Sequence, residues 1–182
     1  MRKVLVIVMV LMLVCSGAVL AADGYFNAKL GLDFSGVQEF SSGGNFDIDN
    51  GFTIAGEYLV PYSDTVDFGA GLAYQFARGI NESGVPNDVE FNFTSLYGLA
   101  RYKMEKAYLV GQLGFNLFDG SDAYKGGAEL EGGLYYGFGA GMDLSEKMFG
   151  EILYSVNNGI EVEGTSVNVR NSQISLMLGY TF

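Results

Sequence analysis

Residues 174–182 read Ile174-Ser175-Leu176-Met177-Leu178-Gly179-Tyr180-Thr181-Phe182, with apolar residues at every second position and an aromatic at the end. A period of two is the repeat of a β-strand, whose successive side chains point to opposite faces. The run therefore predicts a strand with one continuous apolar face. The same alternation recurs upstream. Phe26, Ala28, Leu30, Leu32 and Phe34 interleave with Asn27, Lys29, Gly31 and Asp33. Phe52, Ile54 and Tyr58 interleave with Thr53, Ala55 and Glu57, and Val66, Phe68, Ala70, Leu72, Tyr74 and Phe76 with Asp67, Gly69, Gly71, Ala73 and Gln75. A fourth stretch, residues 89–103, is led by Val89, Phe91 and Phe93. In the fifth, Leu109, Leu113, Phe115 and Leu117 oppose Tyr108, Gln112, Gly114 and Asn116. The sixth sets Leu134, Tyr136, Phe138, Ala140, Met142 and Leu144 against Tyr135, Gly137, Gly139, Gly141 and Asp143; the seventh sets Ile152, Tyr154 and Val156 against Phe149, Glu151 and Ser155. Residues 174–182 make the eighth.

Connection lengths alternate too. Short turns are predicted near 60–64, 103–106 and 145–147, and longer Gly-, Asn- and Asp-rich loops near 36–51, 77–88, 119–129 and 157–168. Both termini then lie on the short-turn side. The amino terminus carries an export signature: basic Arg2 and Lys3, an apolar run from Val4 to Val14, and small residues near Ala21. The expectation is a signal peptide over residues 1–21, cleaved after Ala21 or Ala22, followed by a single domain over 22–182. The apolar run is short for a bilayer-spanning helix. Met12-Leu13-Val14 lacks the small residue expected before a lipidated cysteine, so Cys15 is expected to leave with the signal.

Composition excludes several classes. Without Arg2 and Lys3 the chain keeps 8 basic residues against 21 acidic ones, a net charge of −13. Nucleic acid needs a basic surface and is not an expected partner. With Cys15 gone there is neither a disulfide nor a thiolate metal site. Twenty-seven glycines, 14 Phe and 12 Tyr, with no His and no Trp, favour β structure.

Signal peptide, eight alternating strands, loop asymmetry and terminal Phe182 together resemble the small outer-membrane barrels of the OmpA/OmpX type, a porin-like group. The resemblance covers the whole mature chain and implies an all-β, eight-stranded antiparallel up-and-down transmembrane barrel in the bacterial outer membrane of a Gram-negative cell. It implies periplasmic termini, contact with outer-membrane lipid and lipopolysaccharide, and handling by periplasmic chaperones and the assembly machinery. Ile174, Leu176, Leu178, Tyr180 and Phe182 are similar to the terminal signal that such machinery reads. The other eight-stranded reading is a soluble barrel of the lipocalin kind, with its apolar face inward around a ligand. Lys29, Asp33, Glu57, Asp67, Asp143 and Glu151 on the opposite face favour the membrane barrel, because a narrow lumen lets such charges pair.

Enzymes of similar barrels generally use a His as acid or base, and this chain has none, so no catalytic residue is expected. Nor is a cofactor or metal site. Gly137-Phe138-Gly139-Ala140-Gly141 lies inside an alternating strand, the wrong context for a dinucleotide loop. Asp47-Ile48-Asp49-Asn50-Gly51 opens like a calcium loop, but Tyr58 stands where the closing Glu belongs.

The lumen carries the site expectation. Counted inward from the short turns, Lys29, Glu57, Asp67 and Glu151 fall at similar depth and are expected to form one polar layer centred on Lys29. Lys29 with Glu57 is the expected pair, and Glu151 reaches across the barrel. Inward glycines at 31, 69, 71, 114, 137, 139, 141 and 179 leave gaps that Tyr25, Tyr108, Tyr135 and Phe149 are positioned to cover. In the fourth stretch two registers are open: strict alternation from Phe93 places Tyr97, Leu99 and Arg101 toward lipid, and a bulge near Thr94–Leu96 turns Arg101 inward and Tyr102 outward. The expected function is a non-enzymatic outer-membrane protein that stabilises the envelope or presents acidic loops, its external partner unknown. The other reading is a narrow channel for small solutes or cations through a lumen of excess negative charge.

Overall fold

The computed structural model describes residues 24–41, 43–80, 90–121, 132–161 and 168–182, with the side chains of residues 159–161 left aside. The expected signal peptide, Val89 and the loop acids Glu82, Asp88, Asp122 and Glu163 lie outside the described residues. Among the described residues nine strands follow one another: β1 (Tyr25–Phe40), β2 (Asn45–Ile48), β3 (Gly51–Pro61), β4 (Val66–Gly79), β5 (Glu90–Lys103), β6 (Ala107–Gly120), β7 (Leu134–Asp143), β8 (Met148–Glu161) and β9 (Asn168–Thr181). Each long strand pairs antiparallel with its sequence neighbour, and β1 pairs with β9, so eight strands close into a barrel with no free edge. β2 is a four-residue extension paired with β1 above the first hairpin.

Two of the short turns are built alike. At 62–65 the Ser63 hydroxyl accepts from the Val66 amide (3.1 Å), and at 144–147 Ser145 does the same for Met148 (3.1 Å). At the seam Leu30 faces Leu178, and the Phe182 amide donates to the Phe26 carbonyl (2.9 Å). The loop end departs from the sequence reading. β1, β4 and β8 run three to five residues into the stretches expected as loops and β6 two, and residues 36–51 form the β1–β2 hairpin and the start of β3.

Alternation sorts the two faces. Leu30, Leu32, Phe52, Leu72, Leu109, Leu113, Leu117, Phe138, Ile152, Leu176 and Leu178 are exposed on the outer wall. An apolar band of that extent suits hydrocarbon and not water. Phe26, Tyr62, Phe68, Tyr102, Tyr180 and Phe182 ring the turn end, with Tyr180 and Phe182 in edge contact at 5.0 Å. The inside is packed with polar residues and aromatic rings.

β5 corrects the sequence reading. Its alternation is unbroken from Glu90 to Lys103, and Phe91, Phe93, Ser95, Tyr97, Leu99 and Arg101 all point inward. Neither proposed register holds. Arg101 is inside and Tyr102 outside, yet no bulge interrupts Thr94–Leu96; the register slip lies on β4, between Gln75 and Arg78. The physical reason is volume: Phe91 and Phe93 are needed to fill the loop end of the lumen, where they pack with Ile48 and Val169. Large apolar residues were read as lipid-facing when they are interior filling.

Candidate functional site

The lumen is organised by glycine seats. Gly71 lies directly opposite Tyr97, Gly141 opposite Tyr108, and Gly179 opposite Phe149. A Cβ at Gly71 would stand 2.6 Å from the Tyr97 ring, and one at Gly141 or Gly179 would overlap the facing ring outright. Each ring thus lies flat over a neighbouring backbone, which fills a narrow barrel without pushing its wall apart.

These rings frame a buried ion network. Lys29 on β1 places its ammonium 2.7 Å from Glu57 Oε1 on β3 and 2.8 Å from Glu151 Oε1 on β8, and none of the three side chains has accessible surface. Tyr108 donates to Glu151 Oε2 (2.9 Å), while Tyr97 (3.1 Å) and Gln112 (3.2 Å) donate to Glu57 Oε1. Tyr135 in turn donates to Gln112 (2.7 Å). Arg101 stacks 4.1 Å above the Tyr108 ring and holds Nη2 3.7 Å from Glu57 Oε2. Two cations therefore face two carboxylates. Buried charge of this kind is tolerable when paired and further hydrogen-bonded; Lys29, Glu151 and Glu57 Oε1 meet both conditions, whereas Glu57 Oε2 and Arg101 Nε and Nη2 are buried without a hydrogen-bond partner.

Of the four residues singled out from sequence, the fold gathers Lys29, Glu57 and Glu151. It places Asp67 one step nearer the turn end, bonded to Lys103 Nζ (2.7 Å) and the Tyr25 hydroxyl (2.6 Å). Ile174, Leu176, Leu178 and Tyr180 lie on the outer face of β9, and Phe182 follows its last residue, exposed.

Sequence reasoning missed a second network nearer the loop end. Arg78 Nη2 meets Asp33 Oδ2 at 2.8 Å and Nη1 donates to Gln173 (2.7 Å); Thr53 (2.6 Å) and Ser175 (2.5 Å) donate to the same carboxylate. Asp33 had a visible inward parity. Arg78 had none, because it falls in a stretch read as loop and the slip after Gln75 reverses its face. Above this network Ile48, Phe91, Phe93 and Val169 form an apolar cap, flanked by Phe40, Ile80 and Phe118.

Among the described residues, Lys29, Arg78, Arg101 and Lys103 face Asp33, Glu57, Asp67 and Glu151 inside the barrel, so the expected negative excess is absent. Asp33, Glu57 and Glu151 each face a cation. The arrangement ties distant strands together; it offers no free base beside a nucleophile.

The family described as "Outer membrane protein beta-barrel domain" matches residues 7–182. None of the curated proteins matches the chain. Among solved structures, Ail, the attachment invasion locus protein of Yersinia pestis, is similar with a TM-score of 0.56 at 17% identity, covering 87% of this chain and 97% of that one. The same protein in complex with the heparin analogue sucrose octasulfate aligns with a TM-score of 0.50 at 18% identity, covering 87% and 97%. Neisserial surface protein A aligns with a TM-score of 0.54 at 17% identity, again covering 87% and 97%. Identities this low speak for the fold alone.

Proposed function

We propose that this chain, which belongs to the outer-membrane β-barrel family, is a non-conducting and non-enzymatic scaffold that anchors its long loops at the cell surface. One observation carries the reading: the side chains of Lys29, Glu57 and Glu151 have 0% accessibility at the level of the ion network. A water-filled pore would wet them. The apolar cap of Phe91, Phe93, Ile48 and Val169 adds a second closure above. The absence of His, and the pairing of Asp33, Glu57, Asp67 and Glu151 with cations among the described residues, argue against hydrolysis or acyl transfer.

In this reading the turn end faces the periplasm with both termini, and the loops face outward beside lipopolysaccharide. Periplasmic chaperones and the assembly machinery deliver the chain, recognising Ile174, Leu176, Leu178, Tyr180 and Phe182. Glu39, Asp47, Asp49 and Asp119 give the loop end an acidic character. That sign keeps neighbouring copies apart and suits a basic or cation-bridged partner. It contrasts with Ail, which was captured with a sulfated sugar.

Planar-bilayer recording of the refolded mature chain tests the reading. The expected trace shows no discrete ion steps above leak. Reproducible unitary conductance would replace the scaffold with the narrow channel.

A further inference from the structure

The β1–β2 hairpin is held from inside the barrel. β2 and β3 keep one register against β1, since Gly36 pairs with Ile48 just as Asp33 pairs with Gly51. Between them the ladder is interrupted at Asp49 and Asn50. Opposite that break, Ser35 takes a left-handed φ of 52°, and β1 slips register against β9 between Phe34 and Val37. β4 slips against β5 between Gln75 and Arg78 at the same end. Bulges re-aim side chains. These two flank a single buried pair, Arg78 with Asp33, whose side chains are 2% and 1% exposed.

Arg78 reaches Asp33 by crossing Gly51, where a Cβ would stand 3.1 Å from the guanidinium carbon. β2 is laddered to β1 on one side, and the two residues after Arg78 meet its end from the other. Gly79 accepts a hydrogen bond from the Asp49 amide (3.1 Å), and Ile80 bridges to Ile48, the β2 residue seated in the apolar cap. Position therefore passes from Asp33 through Arg78 to Gly79 and Ile80, and from them to β2. The hairpin tip, with Gly43 and Gly44 at φ 96° and 114°, projects beyond this anchor.

We propose that the Arg78–Asp33 pair is an internal latch that fixes the stance of the β1–β2 hairpin, so that the conformation of this outer surface is set from inside the barrel. The proposal concerns the hairpin's conformation and is independent of any loop partner or of conductance.

Amide hydrogen exchange on the refolded full mature chain in lipid vesicles tests it, with heat-dependent gel migration reporting that the barrel is closed. In Arg78→Met the barrel band is expected to persist while amides of Asn45–Ile48 exchange roughly tenfold faster, the signature of local opening. Amides of Asn27–Lys29 should be unchanged. Arg101→Met, which cuts a buried cation at the turn end, should leave Asn45–Ile48 at the wild-type rate. Unchanged hairpin exchange in a closed Arg78→Met barrel would overturn the latch. Equal acceleration in Arg101→Met would overturn it too, by showing general loosening. If Arg78→Met does not fold, the charge-neutral Asp33→Asn/Arg78→Met double variant takes its place with the same expectation. Failure of both to fold would make the pair a condition for the barrel and would also overturn the proposal.

Discussion

β5 and β9 have the same length and the same order of inward and outward positions, yet most of their bulky apolar residues sit on opposite faces. β9 sends Asn171, Gln173, Ser175 and Gly179 inward, with Val169 and Met177 the apolar members of that face, and Ile174, Leu176, Leu178 and Tyr180 outward. β5 sends Phe91, Phe93, Tyr97 and Leu99 inward with Ser95 and Arg101, and Asn92, Thr94, Gly98 and Ala100 outward with Leu96 and Tyr102. The neighbours explain the inversion. β4 and β6 flank β5 and bring Gly69, Gly71 and Gly114 to its sides, so β5 must supply bulk. β1 and β8 flank β9 and bring Lys29, Asp33, Phe149 and Glu151, so beside them β9 is mostly small or polar, Met177 excepted. In a narrow lumen, packing density decides which face a residue takes. Hydrocarbon on the other side accepts Thr, Gly or Leu.

Substitutions can break that comparison. The largest effect is expected for the outer face of β9: replacing both Tyr180 and Phe182 by Asp should remove most of the folded protein from the outer membrane, measured as the heat-modifiable band in membrane fractions. Wild-type levels would rule out a role for these rings in assembly or anchoring. Lys29→Met should cost about 3–5 kcal/mol in urea unfolding from vesicles at neutral pH, because it leaves Glu57 and Glu151 buried beside only Arg101. Equal midpoints for the two proteins would show that these carboxylates do not need the ammonium.

On β5, Phe93→Ala should cost about 3 kcal/mol or more by opening a cavity in the cap, and the outward Leu96→Ala on the same strand should cost less. The reverse order in the same unfolding assay would defeat the claim that interior volume rules. Gly71→Ala should cost about 1–3 kcal/mol, through overlap with the Tyr97 ring. Adding Tyr97→Leu should recover part of that loss in a double-mutant cycle, whereas additive losses would mean the two residues do not compete for space. The smallest change belongs to Arg170, an outward residue of β9 paired with Glu39 at 3.6 Å and about four-tenths exposed. Arg170→Gln should move stability by less than about 1 kcal/mol.

How far the barrel was legible depended on whether a strand kept its parity. In β1 to Phe34, β3, β6, β7 and β9 every apolar side chain on the expected face is where simple alternation puts it. The terminal strand was the clearest, because its inner face carries no large ring. β5 misled because both of its faces contain apolar residues, and only the glycines of its spatial neighbours say which face is inside. Arg78 was illegible for a different reason: one extra residue on β4 reverses every later side chain, and no local sequence signal marks that slip. The hairpin at 36–48 reads as loop because its Gly- and Ser-rich tip resembles one. Within the polar interior, depth counted from the turns puts Lys29 near Glu57 and Glu151, but the partner of Asp67 was fixed by Lys103, whose inward side became visible only with the register of β5.

The glycine seats have a consequence on an evolutionary timescale. Gly71 with Tyr97, Gly141 with Tyr108 and Gly179 with Phe149 are far apart in sequence, yet each pair occupies one fixed volume. A larger residue at the glycine is admissible only after the facing ring has shrunk, and a smaller ring leaves a void until the glycine grows. Descendants of this chain should therefore exchange such residues two at a time, and their sequences should record the three pairs as correlated characters.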